Sequence, residues 1–279
     1  MLSILKNAGS GSITYYVGDS FEHIKHLTNC KLICKREFTE FVVWDNVEQI
    51  VVGDPQLHFY KLSHKVKDVF EFRSSGGGYK YGFNCRIHKS VVIGNGVVIG
   101  DGVTIGPNSV IYSNTTIGNN VQIGANCTIG TEGMMWVWDG DVKVFLKQLG
   151  GVKIGNDCII GSNSSIVRGS ANELTILEDG VNMASGCCIG HGTFIGKQTH
   201  LANNVSTGGS SYISEYCFIG SSAVVSPGVV IGSIDVTLGS GGVMVKSIEE
   251  SGVYVGIPAK LLKKADGNLR GVPKLRKYN

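Results

Sequence analysis

The sequence predicts a mostly β protein. It is expected to be a parallel β-helix of hexapeptide repeats, with a small N-terminal α/β domain and a short C-terminal tail. Three observations predict this: a glycine excess without proline, an aliphatic residue returning every six positions, and a change of character near residue 75. Of 279 residues, 40 are Gly and 5 are Pro; the Gly share is about twice the usual 7%. Collagen needs Gly at every third position with abundant Pro. Disorder needs low hydrophobicity and high net charge, against 42% hydrophobic residues and a net charge of +3 here. A long helical protein is excluded because each interior Gly costs about 1 kcal/mol against Ala.

The repeat begins with Ile93-Gly94, Ile99-Gly100 and Ile105-Gly106, passes Ile111, and continues through Ile117-Gly118, Ile123-Gly124 and Ile129-Gly130. It resumes at Ile154-Gly155, Ile160-Gly161 and Ile166, then slips by one residue near Asn172–Thr175. From there it runs through Met183, Ile189, Ile195, Leu201, Thr207, Ile213, Ile219, Val225 and Ile231. Each hexapeptide supplies one flat face with its aliphatic residue inward, and Gly or Asn takes the positive-φ corner. Three faces close one coil, giving roughly seven or eight coils over 87–245. The break at Thr131–Gly151 carries Met134, Met135, Trp136 and Trp138 with interleaved charges. A loop so rich in large apolar groups covers something, either a ligand site or a neighbouring subunit.

The organisation is therefore 1–75, a small α/β nucleotide-binding domain; 76–247, the β-helix with the inserted loop 131–151; and 248–279, a basic tail. Within 1–75, Ile13–Val17, Lys31–Cys34, Phe41–Trp44 and Gln49–Val52 read as strands. Asp19 with Glu22 forms a capping-box pattern. Asp54-Pro55 opens a helix striped by Leu57, Tyr60, Leu62, Val66 and Val69. Ser74–Gly78 is a linker. The tail holds Lys260, Lys263, Lys264, Arg270, Lys274, Arg276 and Lys277 against Asp266, read as a solvated tail or a contact to ligand phosphates. A pI of about 8.3 is too mild for nucleic acid. No signal peptide is visible in Met1–Ser12. The uncharged run Tyr216–Ile234 is too rich in Ser and Gly for a membrane span. A cytoplasmic protein is expected, with reduced thiols and no metal site, since no paired CxxC is present.

From Ile13 to Pro258 the order of features resembles the UDP-3-O-acylglucosamine N-acyltransferases of lipid A synthesis. The resemblance rests on Gly11-Ser12-Ile13-Thr14-Tyr15-Tyr16, on Val51–Leu62, on Arg168-Gly169 and on Cys187-Cys188-Ile189-Gly190-His191. It implies a left-handed coil and a homotrimer with active sites in the grooves between subunits. It also implies a base sandwiched by Tyr15 and Phe21, and Gly18 stands where that family has Asn. Trp136 and Arg168 are the further substrate contacts expected. The closing Gly252-Val253-Tyr254-Val255-Gly256-Ile257-Pro258-Ala259-Lys260 looks instead like the signature of CoA-dependent hexapeptide acetyltransferases acting on nucleotide-linked amino sugars. In that second family a second His follows by nine residues, as His200 follows His191. Gly192 stands where those enzymes carry Glu.

Acyl transfer from a thioester to an amine needs a base, an oxyanion donor and alignment of both substrates. By resemblance His191 is the general base and the Gly209 N–H the oxyanion donor, while His200, Gly208 and Lys260 contact the donor. Nucleophilic catalysis by Cys187 or Cys188 is disfavoured, because small Cys side chains suit coil interiors. The expected reaction is N-acylation of a nucleotide-linked amino sugar by acyl-CoA, for bacterial surface polysaccharide. The alternative is lipid A N-acylation from an acyl carrier protein thioester. A non-catalytic scaffold is the third reading. A metal-dependent carbonic anhydrase on the same coil would need three imidazoles on one metal, and its short His pair is absent.

Overall fold

The computed structural model describes residues 1–18, 20–41, 46–66 and 78–264. Asp19, most of the Phe41–Trp44 run, Val69, Ser74–Gly77 and the tail residues Asp266, Arg270, Lys274, Arg276 and Lys277 lie outside them. The chain divides into two compact units. One comprises Met1–Asp68, Glu132–Gly150 and Gly169–Glu173; the other comprises Val69–Thr131, Gly151–Arg168 and Leu174–Asn279.

The first unit is built on a three-stranded parallel sheet, β1 (Ile13–Tyr15), β2 (Lys31–Cys34) and β3 (Glu48–Val51), in that order. Helix α1 (Pro55–Ser63) follows. Its first turn is closed by the Asp54 carboxylate, which accepts the Leu57 N–H at 2.9 Å, satisfying an amide that no helical carbonyl can reach. The sheet separates two apolar clusters. Tyr16, Ile24, Leu27, Leu32 and Phe38 fill one; Leu2, Ile33, Phe59, Tyr60, Leu146 and Ala171 fill the other. Leu146 and Ala171 show what the repeat break covers. The insert folds as an antiparallel hairpin, Trp136–Asp139 against Val142–Phe145, and turns Met135, Val137 and Val144 into the second cluster. Lys61 on α1 pairs with Asp139 on the hairpin at 2.5 Å.

The second unit is the β-helix. Its strands form three stacks among the described residues, eight on the first face, ten on the second and eight on the third, all parallel except the last strand of the second. Each coil visits the faces in that order. Inward residues stack in files, such as Ile99, Ile117, Ile154, Leu177, Ile195, Ile213 and Ile231 on the first face, all buried. The chain thus carries hexapeptide repeats folded as the sequence predicts. The glycines divide into two kinds. Those at the left-handed corners recur in files, one per corner, that they share with Asn114, Asn120, Asn126, Asn163 and Asn204. The Gly of each Ile-Gly pair has another cause, close stacking. A Cβ on Gly118 would sit 2.7 Å from the Gly155 carbonyl carbon of the next coil. The uncharged Tyr216–Ile234 run is ordinary coil, and no described helix is long and apolar enough to cross a membrane.

The closing segment is a hairpin, Gly252–Val255 against Lys260–Lys264, added to the second face. Gly256 at its turn has φ +97° and precedes a cis Ile257-Pro258 bond.

Candidate functional site

His191 and Gly209 occupy the same corner, between the third and first faces, in successive coils. The chain enters each corner from a strand ending in a buried residue, Ile189 and Thr207. The Ser210 N–H donates to the His191 carbonyl at 2.6 Å, locking one turn over the other. The imidazole lies against Gly209. A Cβ on that glycine would collide with Nε2 and come within 2.5 Å of Cδ2 and 2.7 Å of Cε1. Absence of a side chain at 209 is what lets the ring stand there. Both residues are half-buried, open to solvent on one side.

Gly208 belongs to the same corner. A Cβ on it would run into the ring of Pro227 in the following coil, 2.5 Å from Cδ. Its N–H donates to Val225 O at 2.7 Å, and its carbonyl accepts the hydroxyls of Thr193 at 3.1 Å and Ser211 at 3.0 Å. Beside the ring, Gly192 N–H donates to Thr175 Oγ1 at 2.9 Å, and that hydroxyl donates to Val167 O at 2.6 Å. Thr175, Thr193 and Ser211, all buried, give this corner a hydroxyl-bearing file that Val97, Val152 and Val229 share elsewhere along the coil. Sequence reasoning missed these three residues and Pro227. The signal was there, as Thr and Ser at hexapeptide positions that carry Val in other coils.

The other expected contacts sit elsewhere. His200 is on the second face, its ring stacked on Phe218 with centroids 5.3 Å apart and planes 1° apart. Burial holds its imidazole below the usual histidine range. Lys260 lies in the closing hairpin, paired in register with Val255. Arg168, expected as a substrate contact, lies inside the coil. Its side chain is fully buried, with Nε donating to Gly130 O at 2.7 Å and an η nitrogen to Ser113 O at 3.1 Å. A guanidinium bonded to backbone carbonyls inside the coil braces the fold at the repeat break.

In the first unit, Tyr15 rests on Phe59, centroids 4.8 Å apart. Burial, and then Tyr60 beside it, push its phenol up to about 12. Gly18 lies over the Tyr16 ring, and a Cβ there would come within 2.6 Å of Tyr16 Cζ. The Tyr16 hydroxyl is fixed by Ser20, donating to its carbonyl at 2.5 Å and accepting its N–H at 2.9 Å. The packing thus explains why Gly replaces the expected Asn. Phe21 opens a short 3₁₀ turn, Phe21–His23; its side chain lies outside the described residues. Trp136 and Trp138 meet edge-on at 5.1 Å with Lys143 Nζ 4.4 Å above the Trp136 ring. This exposed cation–π group is the outer side of the hairpin.

Cys127, Cys158, Cys187 and Cys217 are buried in the coil. Burial pushes the Cys158 thiol up to about 11 and the Cys217 thiol up to about 12. These are packing residues. Cys188 alone among the coil thiols is exposed.

The family descriptions that match are "Bacterial transferase hexapeptide (six repeats)" at residues 82–112 and 96–131, and "Hexapeptide repeat of succinyl-transferase" at 151–171. The chain is 38% identical over 126 residues to the UDP-3-O-acylglucosamine N-acyltransferase of Janthinobacterium sp. (strain Marseille), covering 45% of this chain and 35% of that protein. It is 41% identical over 112 residues to the protein of the same name from Bordetella avium, covering 40% and 30%. The chain thus spans about a third of the length of the curated relatives it matches. The UDP-N-acetylglucosamine acyltransferase structure from Campylobacter jejuni superposes with a TM-score of 0.58 at 21% identity, over 67% of this chain and 71% of that one. That likeness concerns the fold. The chain therefore resembles hexapeptide-repeat N-acyltransferases of the lipid A type.

These relatives overturn two expectations. They are named for UDP-3-O-acylglucosamine, so the reading as a surface-polysaccharide amino-sugar enzyme gives way to its alternative. The acyl-CoA donor falls with it; the roles expected of His200, Gly208 and Lys260 were tied to that donor. The residues of the CoA-type closing signature form the hairpin added to the second face.

Proposed function

We propose that this chain is an N-acyltransferase acting on the amine of a UDP-linked 3-O-acylglucosamine, with an acyl carrier protein thioester as donor. The observation that carries this reading is the His191 ring lying against Gly209, which puts a base and a backbone amide at one open corner. His191 Nε2 takes the proton from the amine as it attacks the thioester carbonyl, since an ammonium has no lone pair. The Gly209 N–H receives the developing oxyanion. The thiolate leaves with the proton carried by His191. Tyr15 and Phe21 are assigned to the base by the resemblance, and Trp136 to the rest of the substrate. A homotrimer belongs to the same reading, because flat coil faces pack side by side with threefold symmetry.

The test is direct. The purified chain is incubated with an acyl carrier protein thioester and UDP-3-O-acylglucosamine, and the product is followed by mass spectrometry. Amide formation that His191→Ala abolishes is the expected result. No turnover by the wild type, or full turnover by His191→Ala, overturns the reading. Light scattering at trimer mass is the expected companion result, and a stable active monomer contradicts that part.

A further inference from the structure

The interior of the coil changes character at one corner. In the third-face file Ile111, Ile129, Ile166, Ile189, Thr207, Val225 and Met244, Thr207 alone bears a hydroxyl. It stands where Thr193 and Ser211 also face inward. Thr193 Oγ1 lies 3.2 Å from Ser211 Oγ and 3.4 Å from Thr207 Oγ1, and Thr207 Oγ1 accepts the Gly190 N–H at 3.1 Å. The hydroxyls of Thr193 and Ser211 both reach the Gly208 carbonyl. Burying three hydroxyls in an aliphatic core is unfavourable unless each is hydrogen-bonded.

The carbonyl of Gly208 and the N–H of Gly209 belong to one peptide group. In a trans peptide the two bonds point in opposite directions. Two donors that hold the carbonyl toward the core therefore turn the Gly209 N–H away from it. A second feature keeps that amide available. At the first-to-second corner four of the equivalent amides are capped by side chains of the next coil. Phe83 N–H donates to Asp101 Oδ1 at 2.7 Å, Asp101 to Asn119 at 2.8 Å, Asn119 to Asn156 at 2.9 Å and Asn156 to Asp179 at 2.6 Å. At the Gly209 corner the next coil places Pro227, whose side chain has no acceptor. Among the described residues nothing accepts the Gly209 N–H.

We infer that Thr193 and Ser211 are positioning residues that aim the Gly209 amide through the Gly208 carbonyl, and that Pro227 keeps the amide free for a ligand oxyanion. The inference rests on the N-acyltransferase reading and adds residues that never touch substrate. Removing an oxyanion donor outright costs about 10²–10³ in kcat. Misaiming it by Thr193→Val or Ser211→Ala is expected to lower kcat by about 10- to 100-fold, with KM for the sugar nucleotide unchanged. Thr193→Ser keeps the hydroxyl and restores kcat.

Two comparisons separate positioning from packing. Ser109 is equally buried, its hydroxyl donating to Gly124 O at 2.9 Å on another corner. Ser109→Ala is expected to lower Tm and leave kcat alone. Pro227→Asn offers the acceptor found at the capped corners, so kcat falls while Tm holds. Steady-state kinetics and thermal melts on these five variants decide the matter. Unchanged kcat in Thr193→Val and Ser211→Ala overturns the inference while wild-type turnover leaves the function standing. Equal kcat losses in Ser109→Ala overturn it too. A wild type without turnover overturns the functional reading first.

Discussion

His191 and Gly209 lie eighteen residues apart in sequence and in contact in space, the ring of one filling the volume a side chain on the other would need. Parallel stacking of coils makes this a consequence of the repeat. Residues one coil apart fall on the same corner, and the only adjustable variable is side-chain size. The pair is thus specified twice, once by the hexapeptide period and once by the missing Cβ.

Gly209→Ala tests that contact. Gly209 is not at a positive φ, so the backbone tolerates Ala, and the methyl acts on the imidazole. Displacement of the imidazole proposed as base is expected to reduce kcat by about 10²-fold, with Tm within a few degrees of wild type. Two groups that act as one unit are non-additive. The His191→Ala, Gly209→Ala double variant should be no worse than His191→Ala. Additive losses in the kinetic cycle would show that the two residues act independently.

Arg168 gives a prediction of the opposite kind. Its guanidinium holds two carbonyls, Gly130 and Ser113, from inside the coil. Arg168→Leu leaves them without donors in a site closed to water. Hydrogen bonds to a charged group are worth about 1.5–3 kcal/mol each. Urea titration should show a loss of that order, with kcat per folded molecule preserved. A large loss of kcat in a variant of normal stability would return Arg168 to the substrate.

Much of this was legible in the sequence because the hexapeptide period fixes side-chain direction as well as strand position. Ile99, Ile117 and Ile154 are inward for the same reason that His191 and Gly209 coincide. The N-cap at Asp54 was equally local. What escaped was non-periodic. Arg168 sits at the repeat break, where its partners Gly130 and Ser113 come from the two preceding coils, so no spacing rule announced its burial. Gly18 is explained by the neighbouring Tyr16 ring, whose swing across the loop is a packing outcome. The closing Gly252–Lys260 segment resembled the closing signature of CoA-dependent enzymes, and its hairpin pairing was not announced by any hexapeptide spacing.

Cysteine exposure predicts a labelling pattern. Cys187 and Cys188 are adjacent, but alternation along the strand buries the first and exposes the second. Burial also raises the Cys187 thiol, suppressing its thiolate. An aromatic disulfide reagent at pH 8 should react rapidly at Cys188, more slowly at half-buried Cys85, and at Cys187 only on unfolding. Cys188→Ser should remove the fast phase. A fast phase that persists in that variant would contradict the assigned direction of the two side chains.

His200 sets a pH dependence of stability. Its imidazole is held below the usual histidine value of 6.5 by burial, against the stacked Phe218 ring. The folded state therefore binds its proton less readily than the unfolded chain does. Where the unfolded state carries more protons, stability rises with pH. The contribution is complete above about pH 6.5 and is lost progressively as pH falls from there through the folded-state value. His200→Phe keeps an aromatic ring on the stack and removes the titration. Its Tm should fall less steeply between pH 7 and pH 5 than that of the wild type. The two should differ least at the alkaline end if stacking is equivalent. Parallel Tm profiles for wild type and variant across that range would mean that His200 is as readily protonated in the fold as in water.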